Sequence, residues 1–147
     1  MPLEDRVEIV PGLWQGSIVL PGDPVRRAGF DALAICAEEY ADDPDYAPDL
    51  NPFPGVRVFY NGIDDAVLSK KEALQMERAA EDLSHLHRRG ERLLIVCRLG
   101  RNRSGLCSAL TLVHRFRCTG REAYHRVVAQ RPKALRNPSF ERYLINR

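Results

Sequence analysis

Short apolar runs in the first two thirds of the chain predict β-strands. Apolar and polar residues alternate in "VEIVPGLWQG" on both sides of Pro11-Gly12, which predicts two short strands and a turn. "DALAIC" (31–36) and "VRVFY" (56–60) predict two more strands. "RLLIV" (92–96) has the unbroken apolar character of a strand that is buried on both faces. The pattern therefore predicts five strands.

Helical patterns follow these strands. The sequence S-x-x-E at Ser69 is a capping box and predicts a helix to about residue 89, and T-x-x-E at Thr119 predicts another to about residue 131. Residues 103–117 are apolar on most sides, as in a central helix, and Asn137-Pro138 favours a last short helix. Because strands alternate with helices, we predict one α/β domain over residues 1–147, with a central, mostly parallel sheet flanked by helices.

The connection after the third predicted strand is long and acidic. "AEEYADDPDYAPDLNPFPG" (37–55) has the composition of a loop. A variable surface connection is the simpler interpretation, and the alternative is that Tyr40, Tyr46 and Phe53 form the wall of a pocket. Residues 1–65 contain 13 acidic and 4 basic side chains, whereas residues 66–147 contain 7 and 18. The second half therefore predicts a surface that attracts anions.

Composition narrows the function classes. At 147 residues, 44% of them hydrophobic and 29% charged, the chain has an ordinary globular balance. It shows no signal pattern and no apolar run long enough for a membrane span, so we expect a cytoplasmic monomer. The four cysteines form no C-x-x-C pair, which argues against structural zinc, and we expect no metal and no cofactor. No nucleic-acid motif is present.

The stretch "IVCRLGRNRSG" (95–105) carries the candidate chemistry. A buried strand ends at Cys97, and a loop with three arginines and Gly100 then leads into the helix predicted from Arg103. Loop amides and a helix N-terminus favour an anion, and the same groups favour the thiolate form of a cysteine. The planar guanidinium of Arg103 matches two oxygens of a phosphoryl group. We predict a nucleophilic thiolate beneath a bound phosphate, the alternative being an inert buried cysteine.

The spacing C-x5-R-S-G at a strand-to-helix junction resembles the signature loop of the cysteine-dependent protein tyrosine phosphatase superfamily. This resemblance implies that Cys97 attacks phosphorus, that Arg103 binds the phosphoryl oxygens and that Ser104 supports the leaving thiolate. The intervening residues of the loop would bind substrate: Arg98, Leu99, Gly100, Arg101 and Asn102.

Such a reaction also needs an acid for the departing oxygen. "YNGIDD" (60–65) follows a predicted strand and looks like the aspartate loop of the small dual-specificity phosphatases. We assign Asp65 as the acid, with Asp64 as its competitor, and the alternative is that both are solvent-facing loop residues. "VPGLWQGS" (10–17) and "RPKALRNPSF" (131–140) resemble the opening and closing segments of the same family.

One residue departs from the family pattern. The family usually has histidine immediately before the nucleophile, and this chain has Val96. Because that histidine helps to set the loop and the thiolate, a non-catalytic phosphate-binding pseudophosphatase is an alternative to an enzyme. A rhodanese-like sulfurtransferase, which also uses a loop cysteine, needs no upstream acid.

The resemblance also suggests substrates and a redox partner. The first predicted substrate is a protein that carries phosphotyrosine, with phosphoserine or phosphothreonine as further targets. Tensin-type lipid phosphatases carry basic residues at the positions of Arg98 and Arg101, so a phosphoinositide or another polyphosphorylated small molecule is the alternative. In those enzymes a cysteine at the place of Cys36 pairs with the nucleophile on oxidation, which predicts a reversible Cys36–Cys97 disulfide.

Overall fold

The computed structural model describes residues 5–147. The first four residues of the predicted domain, where the stretch examined for a signal pattern begins, lie outside the described residues. The described part contains five strands and four α-helices, namely β1 (Arg6–Val10), β2 (Leu13–Ser17), β3 (Ala32–Ala37), β4 (Arg57–Ile63), α1 (Lys70–Arg88), β5 (Leu93–Cys97), α2 (Arg103–Phe116), α3 (Gly120–Gln130) and α4 (Pro138–Ile145).

The strands form a single sheet in the order β1-β2-β5-β3-β4. The hairpin of β1 and β2 is antiparallel, and the other three pairings are parallel. Strand β5 lies in the middle, with Cys97 beside Ser17 of β2 and Val96 beside Ile35 of β3. The predicted mostly parallel α/β sheet is confirmed, and the carboxyl ends of four strands meet at one edge, where α/β proteins bind ligands.

The two faces of the sheet are covered differently. Residues of β5 alternate, so that Cys97 and Ile95 join the core formed with the four α-helices, while Val96 and Leu94 point to the other side. On that side the core is closed by residues from two loop regions, 18–30 and 44–56. All five residues of β5 are buried. The strand that ends at Cys97 is therefore held on both faces.

Both capping boxes have the predicted geometry. The backbone amide of Glu72 donates to the Ser69 hydroxyl at 3.0 Å, and that of Glu122 donates to the Thr119 hydroxyl at 3.1 Å. In each case the glutamate accepts a hydrogen bond from the backbone amide of the capping residue. Because these are contacts between residues three apart, they form from local sequence alone. None of the helices in residues 5–147 combines the length and apolarity needed to cross a membrane.

Two segments differ from the sequence expectation. Strand β4 continues to Ile63, so only Asp64 and Asp65 of the predicted loop 60–65 follow the strand. Gly62 makes this possible, since a Cβ there would lie 2.5 Å from the Cα of Glu38. The connection after β3 contains three short 3-10 turns.

The aromatic residues of that connection also differ from the pocket-wall interpretation. Tyr46 and Phe53 are buried in the core opposite the helices, and the Tyr46 hydroxyl donates to the Val19 carbonyl at 2.7 Å. The pocket-wall interpretation is therefore wrong for these two residues, because the sheet face that carries no helix needs large side chains to cover it. Tyr40 packs partly buried between the two cores.

Candidate active site

Cys97 lies at the carboxyl end of the central strand β5, with only 3% of its surface exposed. Its Sγ is 3.2 Å from the hydroxyl oxygen of Ser104, in the first turn of α2. Ser104 is fully buried, and its hydroxyl has the Cys97 sulfur as its hydrogen-bond partner. The hydroxyl is placed to donate a hydrogen bond to a thiolate.

The loop 98–102 directs its carbonyl groups outward. The Arg98 carbonyl accepts from the amide of Ile18, and the Arg101 carbonyl accepts from the amide of Leu135. The guanidinium of Arg131 donates to the carbonyls of Leu99 and Gly100, and the latter also accepts from Gln15. In contrast, the backbone N–H groups of residues 98–102 donate to no acceptor within residues 5–147. These amides are therefore available to an anion in the cavity that the loop lines together with Cys97, a cradle of the kind that successive backbone N–H groups form.

Gly100 is required by the shape of the loop. Its φ is +68°, in the left-handed region that favours glycine. A Cβ at this position would lie 2.3 Å from the carbonyl carbon of Gly16, in β2. The loop therefore packs directly on the neighbouring strand, and its amides are fixed relative to β5.

The N-terminus of α2 has no side-chain cap. Asn102 is the N-cap residue, but its side chain accepts no hydrogen bond from the first turn of the helix. Its Oδ1 instead accepts from the backbone amides of Arg136 and Asn137, at 2.8 and 3.1 Å. The first amides of α2 therefore remain available, together with the positive end of the helix dipole, for an anion beside Cys97.

Arg103 is buried at the base of this cradle, and its guanidinium is held along one edge. Nη1 and Nη2 donate to the two carboxylate oxygens of Glu39 at 2.6 and 3.0 Å, and Nη1 also donates to the carbonyl of Ile63 at 3.1 Å. The Nε–H is buried and has no acceptor within residues 5–147. Because a buried N–H without a partner is costly, this donor is available to an acceptor that enters the cavity. The free edge of the fork offers Nε–H and Nη2–H to an oxyanion.

Glu39 is a functional candidate that the sequence analysis missed. Burial lowers the pKa of Arg103, but the hydrogen bonds to Glu39 and the nearby sulfur of Cys97 raise it, with a net increase. The same hydrogen bonds lower the pKa of Glu39. Both side chains are therefore charged at neutral pH, and Glu39 orients the arginine. The two residues are 64 positions apart, and no local pattern links them.

Asp65 lies at the rim of the same site. One carboxylate oxygen accepts from the Asn102 side-chain amide at 3.1 Å, and the other accepts from that of Asn137 at 2.8 Å. Asp65 lines the cavity above Cys97, whereas the side chain of its competitor Asp64 does not. The sequence predicts Asn137 only as a helix cap. Its hydrogen bond to Asp65 makes it a second candidate, after Glu39, that the sequence did not reveal.

Above Cys97 is a cavity of about 340 Å³. Its lining combines residues of the predicted loop with two carboxylates and two further cations. The full set is Glu39, Asp65, Cys97, Arg98, Leu99, Arg101, Asn102, Arg103, Lys133 and Arg136. Lys133 and Arg136 belong to the segment after α3. The sequence resemblance covers this segment but assigns neither residue to the site. The structure thus brings Cys97, Arg103 and Asp65 to one cavity.

Cys36 lies close to two other thiols in the core on the helical side. It is fully buried in β3, and Cys97 and Cys107 belong to the same core. Hydrogen bonding to Cys107, followed by burial, raises the pKa of the Cys36 thiol well above its usual value. Cys36 is therefore a neutral thiol. The Cys36–Cys97 disulfide stays a prediction.

Val96 has a structural role on the opposite face. Its side chain is fully buried in the core without helices, and it makes no polar contact with the loop. The hydrogen bonds that hold the loop come from Gln15 and Arg131. The side chains of Gln15 and Arg131 therefore restrain the loop backbone in a chain that has valine where the family usually has histidine.

The sequence matches no protein-family model and no curated protein. Among solved structures it is similar to human DUSP28, with a TM-score of 0.77 and 22% identity over 96% of this chain and 90% of that one. A mouse putative dual specificity phosphatase complexed with zinc tungstate gives a TM-score of 0.79 and 21% identity, over 99% and 86%.

A third similar structure is that of PTPMT1 in complex with PI(5)P. Its TM-score is 0.74 and its identity is 16%, over 95% of this chain and 91% of that one. All three similarities extend over nearly the whole length of both chains. The chain has the fold of the dual-specificity phosphatases.

Proposed function

We propose that this protein is a cysteine-dependent phosphomonoesterase of the dual-specificity phosphatase type. The observation that carries the proposal is the set of unpartnered donors on the loop and on Arg103, which line one cavity together with Cys97. The amides of residues 98–102 and the buried Nε–H of Arg103 have no acceptor within residues 5–147. A phosphoryl group supplies the oxygens that these donors need.

The first chemical step forms a phosphocysteine. The thiolate of Cys97 attacks phosphorus, so that an S–P bond forms while the P–O bond to the leaving group breaks. The loop amides and Arg103 stabilise the charge on the equatorial oxygens. Asp65, protonated, gives its proton to the departing oxygen, and the amides of Asn102 and Asn137 orient its carboxyl group.

The second step restores the enzyme. Asp65, now a carboxylate, takes a proton from a water molecule, and the resulting hydroxide attacks phosphorus. The S–P bond breaks, and inorganic phosphate leaves. The Ser104 hydroxyl, 3.2 Å from the sulfur, donates a hydrogen bond to the departing thiolate. The negative charge of the phosphoryl group is balanced throughout by groups of the protein, and we propose no cofactor.

The direct test is hydrolysis of para-nitrophenyl phosphate by the wild-type protein with EDTA present. We expect release of inorganic phosphate, and an acid-quenched reaction should contain one phosphoryl group on the peptide that includes Cys97. A protein that binds phosphate but releases none from any ester would be a pseudophosphatase, and the proposal would then be wrong.

Replacing Asp65 by asparagine is expected to slow hydrolysis of an alkyl phosphate by about 100-fold, since general acid catalysis contributes on that scale. The loss on para-nitrophenyl phosphate should be smaller, because nitrophenolate leaves without a proton. Rates with both substrates provide the measurement. Asp64→Asn is the matched control, because Asp64 does not line the cavity. Equal effects of the two variants, or an effect that does not depend on the leaving group, would contradict the role of Asp65.

Replacing Glu39 by glutamine is expected to lower kcat about tenfold, because a misplaced arginine loses much of its effect on the transition state. Glutamine is neutral and accepts through only one oxygen, so the guanidinium loses its charged partner and one of the two acceptors at this position. As a positioning residue, Glu39 should affect kcat more than KM, with an unchanged Tm. Glu38→Gln, at the exposed neighbouring position, is the control. A fall in Tm that accounts for the lost activity would mean that Glu39 has only a structural role.

Two substrate classes are compatible with this mechanism. Phosphorylated proteins, the first sequence prediction, remain one of them. Polyphosphorylated small molecules are the other, and a specific observation favours them, since five cationic side chains line the cavity. The similar PTPMT1 structure is a complex with PI(5)P, which supports this class as a candidate.

A further inference from the structure

The cavity above Cys97 is lined by five cationic side chains and by the carboxylates of Glu39 and Asp65. Arg101, Lys133 and Arg136 line it in addition to Arg103. All three are exposed, and within residues 5–147 none of them forms an ion pair. The guanidinium of Arg136 contacts only the Pro132 carbonyl, at 3.3 Å. Three cations without carboxylate partners therefore surround the place where a substrate phosphate would lie.

Two of these cations belong to a segment that is fixed on the phosphate-binding loop. Arg131 donates to the carbonyls of Leu99 and Gly100, and the amide of Leu135 donates to the Arg101 carbonyl at 3.2 Å. The amide of Arg136 donates to the Asn102 side chain at 2.8 Å. The backbone of segment 131–137 is thus attached to the loop at several points, which places Lys133 and Arg136 at the rim of the cavity.

The backbone of this segment is also strained in the middle. Leu135 has a φ of +58°, which is uncommon for a residue with a side chain, and it is buried. Its side chain would lie 3.0 Å from a Cβ added at Gly105, in α2. Such conformations persist where surrounding contacts impose them, and they are concentrated at ligand sites. Here the turn lies between Lys133 and Arg136 and brings both to the cavity.

The remaining lining indicates a polar substrate. None of the cavity residues within the described chain is aromatic, and Leu99 is the one large apolar side chain among them. A binding site for an aromatic ring normally offers apolar or aromatic contacts. In an extended peptide, moreover, adjacent side chains point to opposite sides of the backbone. Phosphates on one polyol ring can enter a single small cavity together.

We propose that Arg101, Lys133 and Arg136 form a second phosphate subsite, and that the substrate is a polyol carrying at least two phosphates, such as an inositol polyphosphate headgroup. This inference rests on the proposed function of Cys97. One phosphate is hydrolysed over Cys97, and a neighbouring phosphate stays bound to the three cations. These charge-assisted hydrogen bonds determine which ester is presented to the thiolate.

The test compares the wild-type protein with the double variant Lys133→Ala/Arg136→Ala. Rates of phosphate release are measured on inositol monophosphates, bisphosphates and trisphosphates and on para-nitrophenyl phosphate. We expect the wild type to prefer the inositol polyphosphates, and the double variant to lose that preference by about 30-fold, mainly through KM. The control is Arg121→Ala/Arg126→Ala, which removes two exposed cations from α3 and should leave the preference unchanged.

Binding provides a second measurement that does not need turnover. Calorimetric titration of inositol trisphosphate into Cys97→Ser, with and without the two alanine substitutions, should show the same loss of affinity. If the wild type is inactive on every ester but the alanines still abolish this binding, the subsite stands and the proposed function fails. If the enzyme is active but the alanines change neither preference nor affinity, the subsite is wrong and the function stands.

Further arms separate the sources of the phosphates. Free inositol polyphosphates, short-chain soluble phosphoinositides and phosphatidylcholine vesicles containing phosphoinositides carry the same headgroup chemistry. Activity in the first arm alone identifies a soluble metabolite, and higher activity in the lipid arms identifies a headgroup; both support the subsite. Doubly phosphorylated peptides form the last arm, and a preference that appears only with them would overturn the assignment to a polyol.

Discussion

Replacing Cys97 by serine is expected to reduce kcat for para-nitrophenyl phosphate at least about a thousandfold, since removing a covalent nucleophile has effects on this scale or larger. The serine oxygen is a far poorer nucleophile, because its hydroxyl keeps its proton at neutral pH whereas a thiol can ionise. Its nearest polar neighbour is the hydroxyl of Ser104. Rates measured with EDTA present, on protein of unchanged Tm, test the expectation.

Cys118→Ser is the matched control, because Cys118 is a partly exposed cysteine that does not line the cavity. It should retain full activity, and a mass increase of one phosphoryl group should appear on the Cys97 peptide only. Hydrolysis that survives in Cys97→Ser and disappears with EDTA would identify a metal-dependent hydrolase. The proposed mechanism would then have to be abandoned.

Replacing Arg103 by lysine is expected to lower kcat by roughly 100-fold to 1,000-fold, the range for losing a group that stabilises transition-state charge. Lysine keeps the positive charge but has no planar fork. It cannot contact both oxygens of Glu39 and the carbonyl of Ile63 while offering two N–H groups to the phosphoryl oxygens. The loss should appear in kcat, with a smaller rise in KM.

The comparison with Arg121→Lys separates shape from charge. Arg121 is exposed in the first turn of α3, outside the cavity, so this conservative change should leave kcat unaltered. Activity of Arg103→Lys within threefold of the wild type would show that charge alone suffices at this position. The role assigned to the unpartnered Nε–H would then be wrong.

Most of the secondary structure was predictable because its determinants are local. Capping boxes join residues three apart, so Ser69 and Thr119 mark their helices in any globular context. Alternation of apolar residues marks the strands in the same way. The candidate loop 97–105 could also be recognised, since its cysteine, glycines and arginines are contiguous in the sequence and their spacing is itself the motif.

The end of β4 was not predictable in this way. Asn61 and Gly62 have low strand propensity, and they extend the strand because the backbone of Glu38 approaches Gly62 in the folded chain. The burial of Tyr46 and Phe53 is a similar case. Their loop has a solvent-exposed composition, yet the sheet face without helices has to be covered.

The sequence by itself therefore determined the elements, the α/β class and the contiguous loop that follows Cys97, because each depends on residues within a few positions of one another. Only the tertiary structure decided which partners act on that loop. Glu39 reaches Arg103 across 64 positions, and Asn137 reaches Asp65 across 72. Such contacts depend on the order of strands in the sheet and on the path of the segment after α3. Nothing in the local pattern encodes them, since they form only when distant segments pack together.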